Sequence, residues 1–340
     1  PRWAAEVQAL AVLQALAPEL GTPAWQLALE AAGTTTEIRV RSLAVHRAGS
    51  PLALTALGGI ALAPDPAMSR IEFEGDWRAL AWPIDGPAQI ASPEGHFRVS
   101  GTQADWRTTL KLLADVPEAG RLATEASVRG DTAHAVIESL AVRSPDGPAQ
   151  IDASARVSFA DLRFAVDANW RQLGWPLKGK AQYASPKGRL QAEGTPKQYT
   201  YALELDAAGD SVPPLTLKAS GDGSDEAARL ATLAITLLDG RIDGKADVRW
   251  APRLEWEAEL AGQKLDPGRF APEWPGRIAF ELTSDGHIDA DGQPQAHVLL
   301  SKLDGRLRDQ PLDGRIDARV SGPNLDLPAA KLVYGGTRLD

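Results

Sequence analysis

From about residue 37 the apolar and polar positions of this chain alternate with a period of two. Ile71 and Phe73 stand beside Glu72 and Glu74, while Ile38 and Val40, then Leu52 and Leu54, are shorter runs of the same kind. The clearest runs come later. Ile151, Ala153, Ala155, Val157 and Phe159 alternate with Asp152, Ser154, Arg156 and Ser158. Leu162, Phe164, Val166, Ala168 and Trp170 alternate with Arg163, Ala165, Asp167 and Asn169. Tyr199, Tyr201, Leu203 and Leu205, then Leu233, Ile235 and Leu237, then Trp256, Ala258 and Leu260, then Ile278, Phe280 and Leu282 continue the pattern. Such runs predict strands with one buried and one wet face, the habit of antiparallel sheet. Gly and Pro turns separate roughly 16 to 20 strands of ordinary length. The segment Asp105 to Glu118 suits a strand or a short helix.

The opening residues read differently. Trp3, Val7, Leu10, Leu13 and Leu16 sit at helical spacing and predict one short amphipathic helix ending near Pro18. No stretch has 18 consecutive apolar residues, so no membrane-crossing helix is predicted.

A long repeat overlies the alternation. Trp77, Arg78, Leu80, Trp82, Pro83, Ser92, Pro93 and Gly95 recur as Trp170, Arg171, Leu173, Trp175, Pro176, Ser185, Pro186 and Gly188, every pair 93 residues apart. Pro83 has no amide hydrogen for a neighbouring strand, so it must interrupt a ladder. Ser92, Pro93 and Gly95 are expected to form a turn. A shorter motif, Leu238-Asp239-Gly240, returns at Leu303-Asp304-Gly305 and Leu312-Asp313-Gly314. Asp-Gly between alternating runs predicts two-residue hairpins. The organisation expected is a lead-in over 1–36, a first repeat unit over 37–130, a second over 131–223 and a further meander over 224–340, joined as one continuous elongated domain.

Composition narrows the function. The chain has 340 residues, 44% of them apolar and 24% charged, enough for a substantial apolar interior. Its net charge of -9 argues against a general nucleic-acid binder. The absence of Cys rules out disulfides and thiolate metal sites. His46, His96, His134, His287 and His297 show no metal-ligand spacing, and Asp289-Ala290-Asp291-Gly292 lacks the bidentate Glu of a calcium loop, so it reads as a hairpin turn. No nucleophile motif, phosphate loop or dinucleotide fingerprint is present. No enzyme activity, metal or cofactor is expected.

The paired Trp-Arg-x-Leu-x-Trp-Pro segments with their Ser-Pro-x-Gly sequences resemble the TamB family, the inner-membrane-anchored component of the translocation and assembly module. Leu265-Asp266-Pro267-Gly268, followed by Pro272, Trp274, Pro275 and Gly276, adds to the resemblance, as does Leu303 to Gly314. It covers roughly residues 43 to 320, about three-quarters of the chain. It implies an all-β, elongated sheet curved into a β-taco or trough with an apolar interior, related to AsmA-like and bridge-like lipid transfer proteins. It also implies a periplasmic location in a diderm bacterium, with the full-length protein anchored in the inner membrane. A role in phospholipid movement and outer-membrane protein assembly follows, as does partnership with the outer-membrane barrel protein TamA. The segments for the anchor and for TamA contact are expected outside this piece.

On that reading Ile151, Val157, Phe159, Leu162, Phe164, Val166, Leu203, Leu205, Leu233, Ile235, Leu237, Ile278 and Phe280 are candidates to line a lipid groove. Trp77, Trp82, Pro83, Trp170, Trp175, Pro176, Trp274 and Pro275 are candidate corners of the repeat. The rival reading is a carbohydrate-binding or adhesive β-repeat protein whose apolar faces are sealed as a sandwich core.

Overall fold

Alternation of small, β-branched and aromatic residues with charged ones gives strands throughout the computed structural model, which describes residues 2–11, 25–84, 88–117, 119–289 and 291–339, with backbone alone for 6–11. The chain divides into two units, Pro1–Ala181 and Gln182–Asp340. The first holds β1 (Trp3–Ala11), β2 (Trp25–Gly33), β3 (Glu37–Arg47), β4 (Ala53–Ala61), β5 (Arg70–Trp82), β6 (Ile90–Thr102), β7 (Asp105–Val116), β8 (Gly120–Gly130), β9 (His134–Arg143), β10 (Gln150–Ser158) and β11 (Phe164–Trp175). The second holds β12 (Tyr183–Thr195), β13 (Gln198–Gly209), β14 (Val212–Gly223), β15 (Ala227–Leu237), β16 (Gly240–Arg249), β17 (Glu255–Leu265), β18 (Gly276–Ile288), β19 (Pro294–Leu307), β20 (Gln310–Ser321), β21 (Asn324–Tyr334) and β22 (Thr337–Leu339).

Within each unit every described strand pairs antiparallel with its neighbours in sequence, so each unit is an open meander. Directly opposed residues share a face, and the registers therefore fix which side each residue occupies. The other contribution to register is electrostatic. Asp76 faces His96 at 2.9 Å, Lys111 faces Glu125 at 3.1 Å, Glu204 faces Lys218 at 2.7 Å and Lys245 faces Glu259 at 3.0 Å. Exposed pairs of this kind add little stability, but a one-residue slip would put each beside the wrong partner.

Several local expectations change. Trp3–Ala11 is a strand, not a helix, paired along its whole length with Trp25–Gly33. Trp3, Ala5, Val7, Ala9 and Ala11 also satisfy a period of two, and pairing with β2 decides between the two periods. The rest of the expected helix, Leu13 to Pro18, lies outside the described residues. Asp105–Val116 is a strand, and the described strands number 22.

The Asp-Gly motifs are not the turns. Leu238 and Asp239, with φ of 52° and 57°, form the β15–β16 loop, and Gly240 opens the next strand opposite Leu237. Arg308 and Asp309 do the same for β19–β20, leaving Asp304-Gly305 and Asp313-Gly314 inside strands, where Asp304 faces Asp313. Glycine is needed there for close approach: a Cβ on Gly305 would come 2.2 Å from the Arg277 carbonyl oxygen. Ser92-Pro93 is likewise a bulge inside β6 and not a turn. A bulge is where a strand tolerates proline.

The period is six strands. Ala79 in β5 and Gln172 in β11 share a left-handed backbone, and so does Lys264 in β17, six strands further along the chain. A third copy is thus present although its tryptophans are absent.

The exposed area is large for the mass. Two compact domains of half this mass would expose about 16,000 Å² together, yet this chain exposes 21227 Å². Among the described residues no large side chain is completely buried.

Aromatic rings lie flat over glycines of the adjacent strand. Trp77 faces Gly95, where a Cβ would sit 2.0 Å from the indole Cζ2; Trp106 faces Gly130, Trp256 faces Gly286 and Phe280 faces Gly262 in the same way. Gly95→Val should therefore destabilise by about 1 to 3 kcal/mol through overpacking. Trp77→Leu in the same chain should recover part of that loss, read as the urea midpoint across the double-mutant cycle; additive losses would mean that the ring does not rest on Gly95.

Turns are tied by aspartates. Asp131 accepts from the amides of Ala133 at 2.6 Å and His134 at 2.8 Å, and Asp266 from those of Gly276 at 2.9 Å and Gly268 at 3.0 Å. These bonds hold both carboxyl groups below the ordinary carboxylate range. Their stabilisation is complete above the unfolded value of about 3.9 and disappears as pH falls through the lower folded values. The urea midpoint should accordingly drop below about pH 4, and drop less in an Asp131→Asn, Asp266→Asn variant.

Candidate functional site

The feature shared by both units is a continuous apolar face. In the first unit Leu29, Leu43, Ala56, Gly75, Phe97, Leu110, Ala126, Leu140, Ala153 and Ala168 form an unbroken row from β2 to β11, each directly opposite the next. Rows on either side run through Val45, Leu54, Trp77, Gly95, Leu112, Thr124, Val142, Ile151 and Trp170, and through Val40, Gly58, Phe73, Val99, Thr108, Val128, Ile137, Ala155 and Val166. None of these residues is charged, and Thr108 and Thr124 alone carry hydroxyls.

The second unit repeats the arrangement. Leu190, Leu203, Ala219, Leu233, Gly244, Leu260, Leu282, Leu300, Ile316 and Ala330 form its row from β12 to β21. One residue away, on the other face, Arg189, Glu204 and Lys218 oppose one another. A sandwich core would drive such a row to full burial against a second sheet. Here Leu203, Leu233, Leu260, Leu282 and Leu300 are only partly buried.

Most of the candidate residues fall on these faces. Ile151, Val157, Phe164 and Val166 share the face of the first unit, and Leu203, Leu205, Leu233, Ile235, Leu237, Ile278 and Phe280 that of the second. Phe159 and Leu162 instead lie in the turn between β10 and β11, 48% and 58% exposed, because β10 ends at Ser158 and β11 begins at Phe164. The sequence selection also passed over equivalent residues: Leu110, Leu140, Leu217, Leu300 and Ile316 occupy the same rows and carry the same alternation.

The tryptophan positions separate into two kinds. Trp77 and Trp170 belong to the apolar face, opposite Gly95 and Ile151. Trp82 and Trp175 end their strands, 63% and 58% exposed, with Pro83 and Pro176 just beyond and both peptide bonds cis. Trp274 and Pro275 lie in the loop before β18, where the Arg308 guanidinium sits 5.3 Å from the Trp274 ring centre.

A double bulge sets the face near Trp82. Ala79 adopts a left-handed backbone in β5, and β6 takes one extra residue at Ser92-Pro93 across from it. The two strands shift in step, so their pairing survives while the sides exchange. Ser92 thereby turns onto the apolar side, where its hydroxyl accepts from the Trp77 indole N–H at 2.9 Å and donates towards the Leu113 carbonyl at 2.7 Å. Leu80, directly opposite Ser92, and Trp82, opposite Ile90, lie on that same side. Asp115, whose partner is Arg121 at 3.0 Å on the polar face, opposes Ala91 and fixes the assignment.

The polar face carries shallow clefts, one of about 660 Å³ lined by Lys197, Asp222, Asp247, Glu257, Asp285 and His287. Among the described residues no group of three or more His, Asp or Glu side chains is placed to hold a metal ion. Nor is any described helix long and apolar enough to cross a membrane.

A family model described as the N-terminal domain of TamB matches residues 148–340. No solved structure matches the chain.

Ser92 is 7% exposed, so Ser92→Ala should strand the Trp77 indole and cost about 1 to 3 kcal/mol. In a Trp77→Phe background, which has no indole N–H, the same substitution should cost less. Equal losses of urea midpoint in the two backgrounds would contradict the bond.

Proposed function

The chain belongs to the TamB family, whose N-terminal domain model covers more than half of it, and from that membership we propose that its apolar faces shield phospholipid acyl chains in passage between the membranes of the cell envelope. The observation that carries this reading is the set of uncharged, incompletely buried rows that persist through every strand from β2 to β11 and again from β12 to β20, with Arg47 at the end of β3, over the Trp25 ring, as the charged residue at their margin. An acyl chain of about 15 methylenes loses about 0.8 kcal/mol per methylene on entering water, so about 12 kcal/mol in all. That corresponds to roughly a billion-fold penalty. A groove removes the penalty only if it has no polar interruption, and the rows supply that continuity.

Flat rings support the same reading. Tryptophan or phenylalanine lying over a glycine covers the backbone of the next strand and leaves the space above the sheet free. Small residues at Ala153, Ala155 and Ala168 leave further room in the first unit. The chain acts by solvation, without covalent chemistry. Family membership supports an envelope location and, as part of this reading, a contribution to outer-membrane protein assembly through the lipid supply. The sealed-core, carbohydrate-binding reading has no comparable support, since among the described residues the buried apolar side chains are few and include Trp25, Leu52, Trp77, Leu265 and Leu312.

Native mass spectrometry of the purified chain, with solvent extraction of whatever is bound, tests the proposal. Co-purified phospholipid should approach stoichiometric amounts and fall at least about tenfold in Leu203→Asp and Phe164→Asp variants, because each places a charge where an acyl chain lies. A lipid-free chain that also refuses added phospholipid would contradict it.

A further inference from the structure

The double bulge does more than orient Ser92. The pairing of β5 with β4 ends at Arg78 opposite Ala53, whereas β5 and β6 continue together to Trp82 opposite Ile90. Four residues of β5 therefore reach past the end of β4, about 13 Å at the ordinary rise of a strand. Without the bulge, Leu80, Trp82 and Ile90 would point to the polar side. With it, they carry the apolar face past the end of β4 to the level at which β7 and β8 end, and they are 36%, 63% and 46% exposed. Of residues 79 to 93 only Asp85 is charged. The device recurs on the same rim of the first unit: Gln172 repeats the left-handed backbone in β11, which ends on the exposed Trp175. Both strands are odd-numbered in an alternating meander and end on the same side, six strands or about 29 Å apart. The opposite rim differs. Its exposed apolar residues Leu62, Met68, Phe159 and Leu162 lie in connecting segments; Trp3, 42% exposed, is the one in a paired strand, and its ring rests on Gly33 of β2 with no left-handed residue or bulge beside it.

We propose that this rim is the lip over which phospholipid acyl chains pass sideways onto the apolar face of the first unit, with the Leu80–Trp82–Ile90 extension and the Trp175 end as its two entry points. The inference rests on the acyl-shielding function proposed above and adds to it a side and a location for loading. An extended apolar margin matters for transfer because a chain leaving a bilayer meets water at the edge of a groove before it meets the groove itself. A half-exposed tryptophan level with the face covers that step, and proline after it prevents a further strand from pairing there. Trp82 and Trp175 thus serve transfer and contribute little to capacity.

The test separates rate from amount. Uptake of a fluorescent phosphatidylcholine from phosphatidylcholine vesicles by the full chain is followed in time and to its end point, for the unaltered protein and for Trp82→Asp, Trp175→Asp, the double variant and Met68→Asp. Each tryptophan substitution should slow uptake roughly tenfold, the factor expected from losing partial apolar coverage by one large side chain. The double variant should be slower still, the final lipid-to-protein ratio should be unchanged, and Met68→Asp should match the unaltered chain. An unchanged urea midpoint in each variant shows that the fold is intact. Equal slowing by Met68→Asp, or unaltered rates in the tryptophan variants, would overturn the sidedness of loading while leaving acyl shielding in place. A reduced end point would overturn the division between lip and store. No uptake by the unaltered chain would overturn acyl shielding and the lip with it.

Discussion

An antiparallel meander satisfies its backbone hydrogen bonds edge to edge, and that one constraint determines what remains for the faces to do. Within each unit the described strands take their ladder partners from the strands next to them in sequence, so no second layer is needed to complete the backbone bonding. The side chains then divide by register alone. Apart from Arg47, which lies over the Trp25 ring, the charged strand residues of the paired rows occupy one face and oppose one another across the strands, as Glu74 with Arg98 and Lys218 with Glu204. The other face is apolar and is left incompletely covered. A compact protein would spend that face on a core, whereas this chain keeps it accessible along each unit.

Keeping such a face open without surrendering the sheet requires packing within the face itself. Ring-over-glycine pairs supply it. Trp77 on Gly95, Trp106 on Gly130 and Trp256 on Gly286 bury apolar area against the neighbouring strand, so cohesion runs along the sheet and not across it. Indole N–H groups find local acceptors in Ser92, the Asp131 carbonyl and Ser284. These three indole N–H groups are thereby satisfied within the face, and the rings present carbon above it.

Much of this was legible in the alternation. Leu203, Ile235 and Phe280 read as one-sided strand positions and are so placed, because burial of one face fixes register over many residues. What failed was local. Trp3–Ala11 satisfied two periods at once, and pairing with β2 made the choice. Gly240, Gly305 and Gly314 read as turn glycines, but their role is close approach between strands, a tertiary requirement with no local signature. Phe159 and Leu162 continued an alternation past the point where the ladder stops. The reversal of sides at Ala79 and Pro93 was hidden as well, since a left-handed alanine leaves no mark in composition, and strict alternation from Trp77 would put Leu80 and Trp82 on the polar face. The third six-strand period was hidden for a related reason: Lys264 keeps the backbone geometry while the surrounding tryptophans are replaced.

The central claim is that the apolar faces are open surfaces and not packed cores. The chain has no cysteine, so single nitroxide labels can be placed at will, and the most direct measurement is oxygen accessibility and mobility of a label at Leu203→Cys and Leu260→Cys, before and after phospholipid is added. An open face predicts mobile, oxygen-accessible labels without lipid and immobilised labels with it. Labels immobile and inaccessible in both states would contradict the account, because only a sealed core could hold them so.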